Sequence, residues 1–380
     1  MKQYKLQDIR NVGLVGHGGS GKTSVAEAIL FLSGVNDRLG KVGDASSVMD
    51  YDQDELQRGH SVNASVAFYE WDKKKINLID TPGDSNFIAD TPASLRVVDG
   101  AVIVISAVDG IQFYTEKVWS WATEQSIPKI IFINKLDHEQ ADIPSVLESI
   151  KRKFKVNPLC VHVPVGTGEN FSGVVDVLTN KSYVYQNNGS GKNTVGAIPE
   201  AMTDDVKLNF AELTELVAEV DDELTEHYLE NGELSEIEFD TGLKKGLKEG
   251  LLLPVFLGSA TQNMGIDLLM NAIVEYLPPP DQRAPVKGKN AKDGSEVSCE
   301  ADPEAPLSAL VFKTVADPYA GKLTLFRVFS GSLKGDSSVY NATQDTPERV
   351  GQLFLMQGKK QVSVSEVSAG DIGAVAKLKV

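Results

Sequence analysis

The sequence predicts an α/β protein: a doubly wound, mostly parallel sheet carrying an inserted α+β subdomain, followed by a small antiparallel β-barrel. Three observations predict it. Short runs that are apolar throughout alternate with helical stretches early in the chain; a glycine-rich loop stands between one such run and a helix; and the last part changes to short alternating runs broken by Gly, Asp and Asn. With 380 residues and 42% hydrophobic composition, the chain can bury a sizeable core and has the length for two or three domains.

The apolar runs are Val12-Gly13-Leu14-Val15, Ile76-Asn77-Leu78-Ile79, Ala101 to Ile105 and Ile130 to Ile133, each read as a central strand buried on both faces. From Asn157 to about Gly250 the rhythm changes. A β-like stretch with Gly and Asn turns gives way to one strongly acidic helix, on which Val206, Phe210, Leu213, Val217, Val220, Leu224 and Tyr228 form an apolar stripe. Its charged face reads either as solvated surface or as a docking face for a partner. Leu251 to Leu257 resumes the buried-strand style, so residues 157–250 are expected to be an insertion within a sheet domain spanning 1–281. That domain closes on Leu277-Pro278-Pro279-Pro280; residues 282–305, rich in Pro, Gly, Lys, Asp and Glu, read as a linker, and 306–380 as the barrel.

A formal net charge of −16 argues against this chain alone wrapping a phosphate backbone. No apolar run approaches the ~20 residues that cross a bilayer, so a cytoplasmic protein without membrane partners is expected. Cys160 and Cys299 lie far apart, with neither CxxC nor histidine spacing, and read as reduced thiols. A monomer is the default expectation.

Gly16-His17-Gly18-Gly19-Ser20-Gly21-Lys22-Thr23 fits G-x-x-x-x-G-K-[ST] and stands after a strand and before a helix from Ser24 to Leu32. Glycines let backbone N–H groups point at phosphates, Lys22 places a charge between the β and γ groups, and Thr23 offers a hydroxyl to Mg²⁺. Asp80-Thr81-Pro82-Gly83 follows the second strand. Asp80 can hold Mg²⁺ through a water and the Gly83 amide can approach the γ-phosphate, although the same tetrapeptide also makes a good turn.

Asn134-Lys135-Leu136-Asp137 selects the base. Guanine presents two adjacent donors that one ionised carboxylate accepts together, whereas adenine would leave Asp137 unpaired. The Lys135 stem packs on the ring and Asn134 ties this loop to the phosphate loop. Gly258-Ser259-Ala260, weak as a motif by itself, is placed to offer a backbone N–H to the guanine carbonyl. The expected ligands are GTP and GDP with Mg²⁺, held by residues 16–24, Asp80, Gly83, Asn134, Lys135, Asp137, Ser259 and Ala260.

These elements in this order, with Gln57-Arg58-Gly59-His60-Ser61-Val62 between the first two, resemble the translational GTPases, and within them the elongation factor G group and its paralogues. The likeness covers nearly the whole chain, including the insertion, Tyr276-Leu277-Pro278-Pro279-Pro280 and a second domain from Pro306 onward. It implies a GTPase stimulated by the ribosome that drives tRNA and mRNA movement or recycling, the acidic helix being a candidate contact for a ribosomal protein. It also implies that the chain is a front fragment, with the missing C-terminal domains distinguishing elongation from release-factor-type, membrane-associated or antibiotic-protection roles.

The chain departs from the family at three places. Asp84 follows Asp-Thr-Pro-Gly where the family has a histidine credited with positioning the attacking water; His60 replaces an apolar gate residue; Gly18 and Gly19 stand for an isoleucine and an aspartate, the first being the other gate. Ser61 keeps a hydroxyl for Mg²⁺, joining Thr23 and Asp80, and Lys22, Gly83, His60 and Asp84 are the catalytic candidates. Two readings stay open. Either His60 has taken over a polar role beside the γ-phosphate, or hydrolysis is slow because Asp84 adds repulsion next to a triply charged group. An enzyme acting in elongation or recycling therefore stands beside a GTP-dependent regulator with little turnover.

Overall fold

In the computed structural model, which describes residues 4–43, 46–290, 293–317 and 321–378, the apolar runs become the strands of one sheet. Its members are β1 (Ile9–Val15), β2 (Ser65–Trp71), β3 (Lys74–Asp80), β4 (Gly100–Ser106), β5 (Lys129–Asn134), β6 (Asn157–Cys160) and, after four strands of the insertion, β11 (Leu252–Leu257). The order is β2-β3-β1-β4-β5-β11-β6, all parallel except β2, which forms an antiparallel hairpin with β3. Successive residues of β4 show why these strands are apolar throughout. Ile103 and Ile105 pack into the core with Val118 and Val146, while Val102 and Val104 join Val25, Ile29 and Ile273 on the opposite face. Helices cover both faces: α1 (Lys22–Leu32) and α9 (Ile266–Tyr276) on one, α4 (Phe113–Glu124) and α5 (Ile143–Phe154) on the other, with the short α2 (Gln53–Arg58) and α3 (Asp90–Leu95) near the ends of β2 and β3.

Residues 157–250 divide differently from the expectation. β6, at their start, is hydrogen-bonded to β11 as the edge of the main sheet. Then β7 (His162–Val165), β8 (Gly173–Asp176), β9 (Lys181–Tyr185) and β10 (Asn193–Gly196) form a separate antiparallel sheet in the order β10-β9-β8-β7. The single acidic helix is in fact two, α6 (Thr203–Ala218) and α7 (Asp222–Asn231), followed by α8 (Glu236–Glu249). The break falls at Asp221, whose carboxylate accepts the Glu223 amide as an N-cap and pairs with Lys245. Val206, Leu213 and Val217 are buried as the stripe predicts, but Phe210 is 42% exposed.

The segment read as a linker contains a hairpin, β12 (Val286–Lys289) with β13 (Glu296–Cys299), almost wholly exposed and without the apolar alternation that would reveal it. Beyond it come β14 (Ser308–Asp317), β15 (Gly321–Ser330), β16 (Ser332–Lys334), β17 (Ser338–Asn341), β18 (Thr346–Arg349), β19 (Leu353–Gln357), β20 (Lys360–Val364), β21 (Glu366–Ser368) and β22 (Ile372–Ala376). All their pairings are antiparallel: a five-stranded sheet β14-β15-β22-β19-β20 and two short ladders. Lys379 and Val380, the last residues of the stretch read as the barrel, lie outside the described residues.

The second domain is joined to the first by buried polar groups. Arg327 donates to Asp99 at 2.7 Å and to the Val97 carbonyl at 3.0 Å, both side chains of the pair being almost fully buried. Asn11 bridges Asp99 and the Gly370 carbonyl, Asn77 bridges Asn11 and Asp371, and Lys75 closes the chain on Asp371 at 2.7 Å. Such a network supplies register rather than large net stability, because each charge that leaves its partner would remain buried and unpaired.

Candidate nucleotide-binding site

The loop between β1 and α1 sits closely against two other segments. Gly21 has φ +95° and a Cβ there would lie 2.2 Å from Asn134 Nδ2, so only glycine fits. At Gly83 a Cβ would meet Lys22 Nζ at 2.4 Å and the Gly16 carbonyl at 2.6 Å, and the Gly18 amide donates to the Gly83 carbonyl at 2.8 Å. Lys22, in the first turn of α1 beside Thr23 and Ser24, is buried, and its ammonium donates to the His17 carbonyl at 2.9 Å. Burial lowers its pKa to about 8 against the pull of Asp80 and Asp50. An ammonium carries three donors, so this one keeps capacity for an anion. The His17 ring stacks on Tyr114, centroids 5.7 Å apart, and burial beside Lys22 favours its neutral form; His17 therefore serves the loop through its backbone.

The three residues expected around a cation are brought together. Thr23 Oγ1 donates to Asp80 Oδ2 at 2.7 Å and lies 2.8 Å from Ser61 Oγ. A fourth group is not visible in the sequence: Asp50, 3% exposed, whose two oxygens, like Asp80 Oδ1, have no hydrogen-bonding partner at proper geometry among the described residues. Burial pushes Asp80 up to about 8 and Asp50 up to about 6, the latter against the Ser61 hydroxyl and Lys22. Asp50 belongs to no motif. It is carried here by Glu27, fully buried one turn after Thr23 on α1, whose Oε1 accepts the Ser47 hydroxyl and the amides of Val48 and Met49 at 2.7 to 2.9 Å. Three orphaned carboxylate oxygens beside two hydroxyls are a hard-oxygen donor set, which suits a Mg²⁺ ion that keeps several waters.

Asp50 has a measurable signature. Its carboxyl is held above its ordinary value, so its favourable contribution is complete below the ordinary carboxylate range and is lost as pH rises through about 6. Asp50→Asn should therefore raise the stability of the nucleotide-free chain at pH 7.5 by on the order of 2 kcal/mol, a gain that shrinks as pH falls from about 6 towards about 4. The same variant should weaken Mg²⁺-dependent nucleotide binding. Thermal unfolding across that pH range checks the first claim, and nucleotide titrations in Mg²⁺ and in EDTA check the second.

The base-side residues also converge. Asn134 donates to the Ser20 carbonyl at 3.0 Å, tying the loops as expected. Lys135 has φ +69° and reaches over to Asp109, 3.6 Å away. Asp137 Oδ2 accepts the Thr261 hydroxyl at a long 3.3 Å, and Oδ1 has no partner among the described residues, which leaves the carboxylate ready for donors. Ser259 and Ala260 differ from the expectation. The Ala260 amide donates to Asn134 Oδ1 at 2.9 Å and so braces the Asn134 loop, while the Ser259 amide closes its own turn on the Met264 carbonyl at 3.0 Å.

His60 and Asp84 are not assembled with the phosphate loop in the same way. His60 is exposed, with Nδ1 3.2 Å from the Arg58 carbonyl and its ring 6.1 Å from that of Phe87. The Asp84 carboxylate is engaged by its own turn: Oδ1 accepts the Asn86 amide at 3.0 Å and the Asn86 side chain at 3.1 Å, and these bonds, with a smaller pull from His60, hold its pKa down. It is a turn-forming side chain here, engaged by its second neighbour.

A phosphate loop, two acidic positions under it and a guanine-type base loop on a mixed α/β sheet define a P-loop GTPase domain. Residues 7–279 match the family model of the elongation factor Tu GTP binding domain, and the chain belongs to that family, the translational GTPases. Residues 306–380 match elongation factor G domain 2. Among solved structures, the crystal structure of ttk003000868 from Thermus thermophilus is similar at 29% identity and a TM-score of 0.82, over 98% of this chain and 52% of that one. The chain thus spans about half the length of that protein.

Proposed function

We propose that this chain is the front part of an elongation-factor-G-type protein or paralogue that binds GTP and GDP with Mg²⁺, hydrolyses GTP, and acts with the ribosome in tRNA and mRNA translocation or in recycling. The observation that supports it best is the set of buried carboxylate oxygens without a partner among the described residues, on Asp50 and Asp80 below the phosphate loop and on Asp137 at the base loop. The division into a nucleotide domain, residues 1–281 with its insertion, a linker and a second domain from 306 is part of the same reading. So is a monomer working in the cytoplasm; among the described residues no helix is long and apolar enough to cross a membrane.

The chain's own residues perform distinct tasks in this reading. Lys22 and the loop amides receive the phosphates, and Lys22 stays charged because the polyanion offsets the cost of its burial. Thr23, Ser61, Asp80 and Asp50 hold the metal, which when bound neutralises charge on the β- and γ-phosphates. Asp137 reads the guanine edge, with Asn134 and the Ser259-Ala260 turn holding it in place. Fluorescent GDP displacement tests this directly: GTP and GDP should compete and ATP should not, and competition by ATP would sink the assignment.

Hydrolysis separates the enzyme from a second reading, a GTP-dependent regulator with weak turnover, which the engagement of Asp84 by Asn86 favours. If Asp84 merely impairs the reaction, Asp84→His in the full-length protein should raise ribosome-stimulated turnover. If His60 has taken over, His60→Ala should remove most of it, since misplacing a water by about 1 Å costs on the order of 10²-fold. Single-turnover phosphate release with excess ribosomes decides between these. No change in either variant means neither position takes part.

A further inference from the structure

We propose that Lys313, in the second domain, is a positioning residue for the nucleotide site: it latches the segment carrying Ser61 to the segment that follows Gly83, and so favours the triphosphate state from outside the nucleotide domain. This rests on the GTP reading above. A register shift between Val311 and Lys313, where β14 departs from regular pairing with β15, sets the local geometry, and bulges of this kind re-aim a side chain. The Lys313 ammonium lies 2.6 Å from Asp90 Oδ2 and 3.3 Å from Asn63 Oδ1, and its side chain is 8% exposed. The same Asp90 oxygen accepts the Ala64 amide at 3.1 Å. Asn63 stands two residues after Ser61, and Asp90 opens α3 on the stretch that leaves Gly83. One cation therefore joins both segments that would have to close over a γ-phosphate.

The surroundings make that latch consequential. A cavity of about 380 Å³, lined by Tyr51, Glu55, Val315, Leu325, Met356 and Lys359 among others, separates residues 51–66 from the second domain. Ala64 and Val66 pack with Leu325 and Met356, and the Gly358 amide donates to the Val66 carbonyl at 2.9 Å, whereas the stretch nearer Ser61 is held by polar pins: Glu55 Oε1, within the segment, accepts the amides of Val62 and Asn63 at 3.1 and 3.0 Å, and Lys313 reaches Asn63 from the second domain. The strand that carries Lys313 is paired along its length with β15, which the buried Arg327–Asp99 pair fixes to the nucleotide domain. The ammonium thus approaches from a fixed frame, and in the proposed latch it is the two segments that close on it. A contact made only in the closed arrangement contributes its free energy to the ligand that needs closure, and none to a ligand that does not.

The test compares wild-type chain, Lys313→Met and Lys313→Arg for binding of a non-hydrolysable GTP analogue and of GDP in Mg²⁺. Lys313→Met should weaken the analogue roughly tenfold while leaving GDP within about twofold, and Lys313→Arg should restore most of the difference. A wild-type ratio of the two affinities in Lys313→Met, or equal losses for both nucleotides, would overturn the latch. Should Lys313→Met fail to fold, Asn63→Ala removes one acceptor without disturbing the cation; it must lower the analogue-to-GDP preference in the same direction, and an unchanged ratio overturns the idea as well. If the wild-type chain binds neither nucleotide, it is the reading of the site itself that falls, a result distinct from any change of ratio.

Discussion

Lys22→Ala is expected to lower affinity for both GTP and GDP by on the order of 10³-fold, several kcal/mol, while the chain remains folded. The ammonium is buried against the His17 carbonyl and faces Asp80 and Asp50 across the loop, so a bound polyanion replaces weak compensation with a strong, charge-assisted contact. Alanine removes that contact and leaves two buried carboxylates facing the phosphates. Lys22→Arg should not rescue binding. A Cβ at Gly83 would meet Lys22 Nζ at 2.4 Å, so the cradle is filled by a compact ammonium and has no width for a planar guanidinium. Displacement of a fluorescent nucleotide, with circular dichroism to establish folding, measures both variants; near-wild-type affinity in Lys22→Ala would mean that the loop does not hold phosphates.

Asp137→Asn is expected to reverse base preference, weakening GTP and strengthening xanthosine triphosphate, for a combined change in ratio on the order of 10³-fold. A carboxylate accepts the two adjacent donors of guanine. The amide offers a donor that matches the 2-oxo group of xanthine, and it leaves a mismatched donor against guanine. The geometry favours a clean exchange, because Oδ1 has no partner among the described residues and Oδ2 takes the 3.3 Å contact from the Thr261 hydroxyl, which an amide oxygen can also accept. Competition of the two nucleotides against one fluorescent probe reads the ratio. A ratio that stays at its wild-type value would remove Asp137 from base recognition.

Between these positions lies a boundary in what local sequence can reveal. The phosphate loop is legible because its glycines, Lys22 and Thr23 are contiguous and each answers a backbone or charge requirement met within a few residues. The base loop is legible for the same reason. The parallel sheet can be read because strands buried on both faces must be apolar at every position, as β4 is. Other features make no such local demand. The hairpin of Val286–Lys289 with Glu296–Cys299 is exposed and lacks an apolar rhythm, and the acidic stretch reads as one helix through Asp221 because an N-cap inside an otherwise periodic acidic run is indistinguishable from one more surface charge.

By itself, then, the sequence determined the sheet's style and the family to which the chain belongs, with its guanine-nucleotide domain, since these rest on local patterns repeated wherever that chemistry is needed. Only the tertiary structure decided that Asp50 joins Asp80 under the phosphate loop, because Glu27 carries it there from 23 positions away. Only the tertiary structure set the Ala260 amide against Asn134 and Lys313 against Asn63 and Asp90 across more than two hundred residues. The physical reason is common to all three. A buried carboxylate, an amide or a cation takes its role from whichever partners the fold brings within about 3 Å, and that distance is fixed by packing between elements rather than by neighbours along the chain.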